Sequence, residues 1–214
     1  MLRTLLLVAL MSANSIAADL PAYQFLDMKH PEKHPVLRKK GKKLKFPLSA
    51  ADKRDVEIIS KKFDAETNMA GLAAHQIGIA KQIIVFAAPE DPTLKKWRPD
   101  FTQTMPKTIW INPSYEGIGT KKTEDYEACF SVDDMAGQVE RFKEIRYKAF
   151  DLNGKLIEGK AEGFLARIIQ HEVDHVHGKV YVDLVPKDKL LKVSEYREQR
   201  RKALEGESVR KHSP

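Results

Sequence analysis

Cysteine and long apolar runs are both scarce in this sequence, and each scarcity excludes a class of protein. Cys129 is the single cysteine among 214 residues, which excludes a small secreted scaffold held together by intramolecular disulfides. Apolar residues make up 42% of the chain and charged residues 31%, which excludes a disordered, collagen-like or multi-span membrane protein. The length suits one domain, or at most two small ones. Cys129 therefore needs an explanation that does not involve a disulfide.

The central part of the chain has no excess of basic residues, although the formal net charge of the whole chain is +7. Residues 29–47 have a net charge of +7 and residues 186–214 have a net charge of +4, whereas the remaining residues sum to −4. Because the basic residues lie in two flanking segments, the net charge does not indicate a DNA-binding core.

The first residues have the layout of a secretory signal peptide. Arg3 precedes a short apolar run, and small residues follow as far as Ala17 and Ala18. The run is too short for the roughly 20 residues that a membrane-spanning helix needs. We expect cleavage after one of the two alanines and export to the periplasm or the exterior. The alternative is a cytoplasmic protein whose translation begins at Met28.

Local patterns predict a few helices and several short strands. Ser49 is suited to cap a helix that reaches residue 66, and Gly178 is suited to end a helix over residues 162–177. The pair Asn153-Gly154 predicts a hairpin. We also expect strands at 82–86, 108–111, 141–150 and 155–160, a polar loop at 89–106 and a basic helix at 187–204. These elements predict an α+β fold, in which short antiparallel sheets surround the helix at 162–177 and a further helix ends the chain.

The predicted helix at 162–177 contains a His-Glu-x-x-His sequence. His171 and His175 lie four residues apart, so both imidazoles can reach one metal ion. Glu172 stands beside the first histidine, where its carboxylate can contact a bound water. The same sequence occurs by chance in many proteins. Taken alone, the motif leaves a metal site and a purely structural role equally open.

Three positions compete for the role of a third ligand. The metzincin layout would place a third histidine at position 181, which is Tyr181, so that layout is excluded. Glu195 has a spacing that suits a thermolysin-like layout, but it stands in a charged pattern typical of an exposed helix. Cys129 is either a small buried apolar residue or a thiolate that completes a three-ligand site with one open position, which is the catalytic arrangement.

Three segments in order resemble the motifs of peptide deformylases. Residues 71–76 read GLAAHQ, residues 127–131 read EACFS and residues 170–175 read QHEVDH. The similarity covers most of the chain after the signal peptide, and three ordered motifs at compatible spacing are far more specific than any single one. The resemblance implies a hydrolase that removes the formyl group from N-formylmethionyl peptides or from the N-termini of nascent chains.

The resemblance also implies a cofactor. It makes Cys129, His171 and His175 the ligands of one divalent metal ion, which is most often Fe²⁺ in the family. A site of this composition also accepts Zn²⁺, Ni²⁺ or Co²⁺. A bound metal ion lowers the pKa of water enough to supply a nucleophile at neutral pH, which hydrolysis of a formamide requires.

Four further residues take a catalytic or substrate-binding role by the same resemblance. Glu172 is implied as the general base that takes a proton from water and delivers it to the departing amine. The side-chain amide of Gln76 and the backbone N–H of Phe130 are implied as donors to the oxyanion. Gly71 is implied to let the substrate backbone approach closely.

The chain departs from the family pattern at two positions. Met69 stands where the first motif usually opens with glycine, and Ala128 replaces the glycine before the metal-binding cysteine. A Cβ at position 128 would crowd the substrate, or strain the backbone if a positive φ were required there. We interpret both as changes that tune the activity, since the expected ligands, base and oxyanion donor are all present.

The resulting prediction is a monomeric deformylase with five segments. They are a signal peptide at 1–18, a basic extended lead-in at 19–48, a single catalytic domain at 49–186, a basic C-terminal helix at 187–204 and a flexible tail at 205–214. The C-terminal helix is the expected contact with a ribosome or another anionic surface. The alternatives for the function are another zinc-type peptidase or amidase and a weakly active protein that binds formyl peptides.

Overall fold

The computed structural model describes residues 20–67 and 69–211, so the predicted signal peptide lies outside the described residues. The α-helices in these ranges are α1 (Ala50–Ala65), α2 (Pro92–Trp97), α3 (Gly163–Val176) and α4 (Val193–Lys211). The strands are β1 (Gly71–Ala73), β2 (Ile83–Ala88), β3 (Met105–Gly117), β4 (Lys122–Ala128), β5 (Met135–Phe142), β6 (Glu144–Phe150), β7 (Leu156–Glu162) and β8 (Leu191–Lys192). None of the helices in the described part of the chain is long and apolar enough to cross a membrane.

The strands form two antiparallel sheets, which confirms the predicted α+β class. The larger sheet has the order β1-β2-β3-β6-β7 and the smaller sheet has the order β4-β5-β8. Helix α3 lies between the sheets. Its apolar residues, such as Ile169 and Val173, share one core cluster with Phe86 and Trp110 of the larger sheet. Arg167 of α3 reaches the smaller sheet, where it donates hydrogen bonds to backbone carbonyls of both β4 and β5.

Local sequence signals define the two main helices. Ser49 and Asp52 form a capping box at the start of α1, in which each side chain accepts a hydrogen bond from the other residue's backbone N–H. Helix α3 ends before Gly178, whose φ of +78° is unfavourable for a residue with a Cβ. The hairpin between β6 and β7 turns at Asn153 and Gly154, as predicted.

Three of the predicted elements were wrong in part. Residues 89–106 are not simply a polar loop, because they contain α2 and the start of β3. The single strand predicted at 141–150 is the end of β5 and all of β6, which belong to different sheets and are separated by Lys143. The C-terminal helix begins at Val193, after a short 3-10 helix and β8, rather than at residue 187, and it ends at Lys211 rather than at residue 204.

The segment before α1 packs against the body of the protein. Leu26, Leu37, Leu44 and Leu48 are buried, although the lysines between them are exposed. This segment includes turns and a 3-10 helix (Pro31–Lys33), and it contributes apolar side chains to two core clusters.

Candidate metal centre

Two secondary-structure elements bring the three predicted ligands together. His171 and His175 lie one turn apart on α3, and Cys129 follows the last residue of β4. The Sγ atom of Cys129 is 3.3 Å from Nε2 of His175, and this Nε2 is 3.3 Å from Nε2 of His171. All three ligand atoms lie within 4.8 Å of one another. The structure thus brings Cys129, which is distant in sequence from the His-Glu-x-x-His motif, next to the two histidines.

The chemistry of this cluster fits a divalent metal ion. Two imidazole nitrogens and one sulfur converge in a largely buried space, which is a donor set that zinc and iron accept in proteins. Three protein ligands leave a coordination position for water or substrate. Glu195 does not join them, because it lies exposed on α4 and accepts a hydrogen bond from the backbone N–H of Lys192.

Glu127 orients the first histidine ligand, and sequence reasoning assigned it no role. Its Oε2 lies 2.8 Å from Nδ1 of His171, which directs Nε2 of that ring towards the other ligands. Arg141 donates two hydrogen bonds of 2.9 Å to the same carboxylate, and Arg167 donates a third. Burial opposes ionisation of Glu127, but these partners outweigh it and hold the pKa of the carboxyl well below its usual range. The sequence did offer a signal for this role of Glu127. It stands two residues before Cys129, so in an extended strand the two side chains lie on the same side.

Asp174 is not part of the ligand cluster. Its carboxylate pairs with the guanidinium of Arg141, and the hydroxyl of Tyr115 donates a hydrogen bond of 3.2 Å to it. Arg141 therefore links Asp174 to Glu127. The two acids and the two arginines form a buried ionic network behind the ligands.

Glu172 points into the space beside the metal ligands. The residue is only 4% exposed, and its Oε2 has no hydrogen-bond partner among the described residues. Burial raises the pKa of its carboxyl to about 7, which suits a group that must accept and return a proton at neutral pH. Gly71 lies directly opposite, since a Cβ at that position would be 2.6 Å from the Cγ and Cδ atoms of Glu172.

The side-chain amide of Gln76 has a defined orientation. Its Oε1 accepts a hydrogen bond of 2.8 Å from the backbone N–H of Ala73, so the amino group must face the other way. That amino group donates to Sγ of Cys129 at 3.3 Å. Gln76 thus presents an N–H donor at the metal centre, and Phe130 follows Cys129 directly in the chain.

A cavity of about 350 Å³ lies over the metal centre. The free edges of the two sheets line it, since β1 and β4 are edge strands that contribute Gly71 and Ala128. Its outer wall is aromatic, and Tyr196 of α4 lies against Tyr126 with the ring centroids 4.8 Å apart. Arg200 holds α4 in place by donating hydrogen bonds to the carbonyl oxygen of Trp97. The C-terminal helix is therefore part of the cavity wall.

The two departures from the family pattern are accommodated without strain. In the described ranges, the residues other than glycine that have a positive φ are Asn112 and Asp134, so Ala128 does not need a left-handed backbone. Ala128 is exposed at the end of β4. Ala128 and Met69 both line the cavity. Both side chains therefore affect the shape of the cavity rather than the ligand set.

Comparison with known proteins decides the family. Residues 28–190 match the family model described as polypeptide deformylase. The chain belongs to this family. It is 55% identical over 194 residues to peptide deformylase 2 of Rickettsia conorii, and the match covers 90% of this chain and 96% of that protein.

Solved structures of the family have the same fold. The Met-Ala-Ser-bound class I type b peptide deformylase of Acinetobacter baumannii is 27% identical, with a TM-score of 0.64 over 78% of this chain and 98% of that one. The actinonin complex of the peptide deformylase from Synechococcus elongatus is also 27% identical, with a TM-score of 0.61 over 84% and 85% of the two chains. These matches confirm the resemblance that the three motifs indicated.

Proposed function

We propose that this protein removes the formyl group from N-formylmethionyl peptides or protein N-termini. The observation that carries the proposal is the convergence of the three motifs in one cavity. There, the unpaired carboxylate of Glu172 lies beside the Cys129, His171 and His175 ligand atoms. Release of formate from formyl-Met-Ala-Ser by protein loaded with a single metal tests the proposal. Cleavage of internal amide bonds without release of formate would instead indicate a general peptidase.

Cys129, His171 and His175 would hold one divalent metal ion, and we propose Fe²⁺ as the native one. When bound, the ion supplies the Lewis acidity that activates water at neutral pH. The carboxylate of Glu172 takes the proton of the attacking water and delivers it to the departing amine. Glu172 is only 4% exposed, which limits competition from bulk water for this proton.

Gln76 and Phe130 would stabilise the negative oxygen that develops during the attack. The amino group of Gln76 is held towards the site by the bond between its Oε1 and the N–H of Ala73. The backbone N–H of Phe130 comes from the turn after Cys129. Two fixed donors are effective because they need no reorganisation when the charge forms.

The substrate peptide would lie between the edges of β1 and β4. Unpaired edges can bind an extended peptide through backbone hydrogen bonds, and the cavity between them leads to the metal ligands. The solved relative from Acinetobacter baumannii holds the tripeptide Met-Ala-Ser, which supports a short peptide as the occupant. Gly71 lies on this path and opposite Glu172.

Replacement of Gly71 by alanine should lower kcat by about 100-fold, because the new Cβ displaces the carboxylate of Glu172 from its working position. Turnover of formyl-Met-Ala-Ser and metal content are the measurements. Gly119→Ala is the control, since its Cβ would meet nothing within 4 Å; the φ of +67° makes alanine strain this turn, but turnover should stay unchanged. Wild-type turnover in Gly71→Ala would contradict the assigned position of Glu172.

Replacement of Glu127 by glutamine should weaken metal binding by 10- to 100-fold, roughly the effect of losing a group that orients a ligand. The amide keeps the shape of the side chain but removes the charge that Arg141 and His171 share. Competition with a chelator of known affinity measures the change. Glu116→Gln, an exposed partner of Arg146, should bind metal like the wild type. Equal affinity in both variants would argue against an orienting role for Glu127.

We further propose that the mature protein is exported and that it is a monomer. We also propose that exposed basic residues of α4, such as Arg197, contact a ribosome or another anionic surface. The N-terminal sequence and cell fraction of the mature protein test export. An intact N-terminus in the cytosolic fraction would contradict it. Size-exclusion chromatography tests whether the protein is a monomer in solution. A binding constant that falls steeply with salt concentration tests the anionic contact.

A further inference from the structure

A short segment outside the matched family range packs against the candidate site. Residues 20–27, which we call the N-terminal strap, precede the residues that match the family model. The backbone N–H of Gln24 donates to the carbonyl oxygen of Gln76 at 2.8 Å, and the N–H of Leu26 donates to that of Ser131, also at 2.8 Å. The strap thus bonds to two segments that are distant in sequence.

These two segments contain the proposed oxyanion donors. Gln76 lies in the 3-10 turn that follows β1 of the larger sheet, and Phe130 lies in the turn that follows β4 of the smaller sheet. Gln24 and Leu26 are two residues apart, so their N–H groups point to the same side of an extended chain. The strap can therefore bond to both turns at once, which sets the distance between them.

Tyr23 packs against the side chain of the residue that carries the second donor. Its ring stacks on the ring of Phe130, with centroids 5.2 Å apart and an interplanar angle of 27°. The Nζ atom of Lys62 lies 4.3 Å from the centroid of the Tyr23 ring and fixes it further. Phe130 is 41% exposed, and within the described ranges its ring stacks on no aromatic ring other than that of Tyr23. Tyr23 is not among the described residues that line the cavity.

We infer that the N-terminal strap holds the two oxyanion donors at their working separation and that Tyr23 is a positioning residue for Phe130. The inference rests on the proposed function, because it assumes that Gln76 and Phe130 bind the oxyanion. Stabilisation of a developing charge requires donors that are fixed before the reaction. Loss of the strap contacts should therefore lower kcat more than it changes KM.

Tyr23→Ala in the full chain tests the inference, with Phe25→Ala as the matched control. Phe25 belongs to the same strap, but its side chain is 53% exposed and makes no ring contact within the described chain. Tyr23→Ala should lower kcat for formyl-Met-Ala-Ser by about 10- to 100-fold. Its KM should stay within about two-fold and its metal content should be unchanged, with kcat measured well below the unfolding temperature of each variant, because Tyr23 packs against a core cluster. Tyr23→Phe and Phe25→Ala should retain wild-type kcat.

Two further measurements separate positioning from general stability. In a Gln76→Ala background, Tyr23→Ala should lower kcat by a smaller factor than it does in the wild type, because both changes act on the same pair of donors. Amide hydrogen exchange over residues 127–132 should be faster in Tyr23→Ala than in Phe25→Ala, and this readout does not depend on turnover. Inactive wild-type protein would overturn the proposed function. Equal exchange in the two strap variants, or equal kcat in active protein, would overturn the role of the strap.

Discussion

Replacement of Glu172 by glutamine should lower kcat for formyl-Met-Ala-Ser by 10² to 10⁴-fold, about the contribution of a positioned general base. The amide is nearly isosteric with the carboxylate, so the buried space beside the metal ligands stays filled. It cannot, however, accept the proton of the attacking water. The metal content should remain that of the wild type, because Glu172 is not one of the three residues whose donor atoms converge.

Glu195→Gln is the matched control for this experiment. Glu195 is the other acid that the spacing of the sequence offered to a metal site, yet it lies exposed on α4. Its replacement should leave both turnover and metal content unchanged. If Glu172→Gln kept the wild-type rate, the protein would not use this carboxylate as a base. Wild-type protein that bound formyl-Met-Ala-Ser without releasing formate would instead indicate a function in binding formyl peptides.

Replacement of His175 by alanine should abolish measurable turnover and weaken metal binding by more than about 100-fold, which exceeds the loss caused by changing a group that only orients a ligand. The Nε2 atom of His175 lies 3.3 Å both from Sγ of Cys129 and from Nε2 of His171. Without it, the site retains one nitrogen and one sulfur, which cannot enclose an ion. Metal analysis after dialysis and turnover with added Fe²⁺ or Ni²⁺ are the measurements.

His177→Ala provides the comparison two residues further along the chain. The Nδ1 atom of His177 lies 2.8 Å from the carbonyl oxygen of Val173, so this ring is bound to the end of α3 rather than to the ligand cluster. The variant should bind one metal ion and turn over substrate like the wild type. A wild-type metal content in His175→Ala would contradict the three-ligand site.

Features that depend on neighbouring residues could be predicted from the sequence. The cap at Ser49, the turn at Asn153 and Gly154, and the end of α3 before Gly178 all lie where the local pattern placed them. The shared direction of His171 and His175 follows from the period of a helix alone. These features need only contacts within a few residues, which short patterns encode.

Features that depend on distant partners could not be predicted in the same way. Helix α2 is a partial exception, since Asp91 at its N-cap and Pro92 at its first position are local signals of a helix, although Arg200 of α4 also holds its last residue, Trp97. The strand predicted at 141–150 is divided because β5 pairs with β4, whereas β6 pairs with β3 and β7. Pairing of this kind depends on which strands meet in space, and no local pattern specifies that.

The sequence alone identifies the family and the two histidines, since three ordered motifs and a helical spacing can be recognised without coordinates. It left Cys129 open between an apolar residue and a ligand until the resemblance was considered. Only the tertiary structure placed Sγ of Cys129 beside the imidazoles, set Glu127 behind His171 and laid the strap across both oxyanion turns. Each of these contacts joins residues from separate elements, so their geometry exists only once the two sheets have packed around α3.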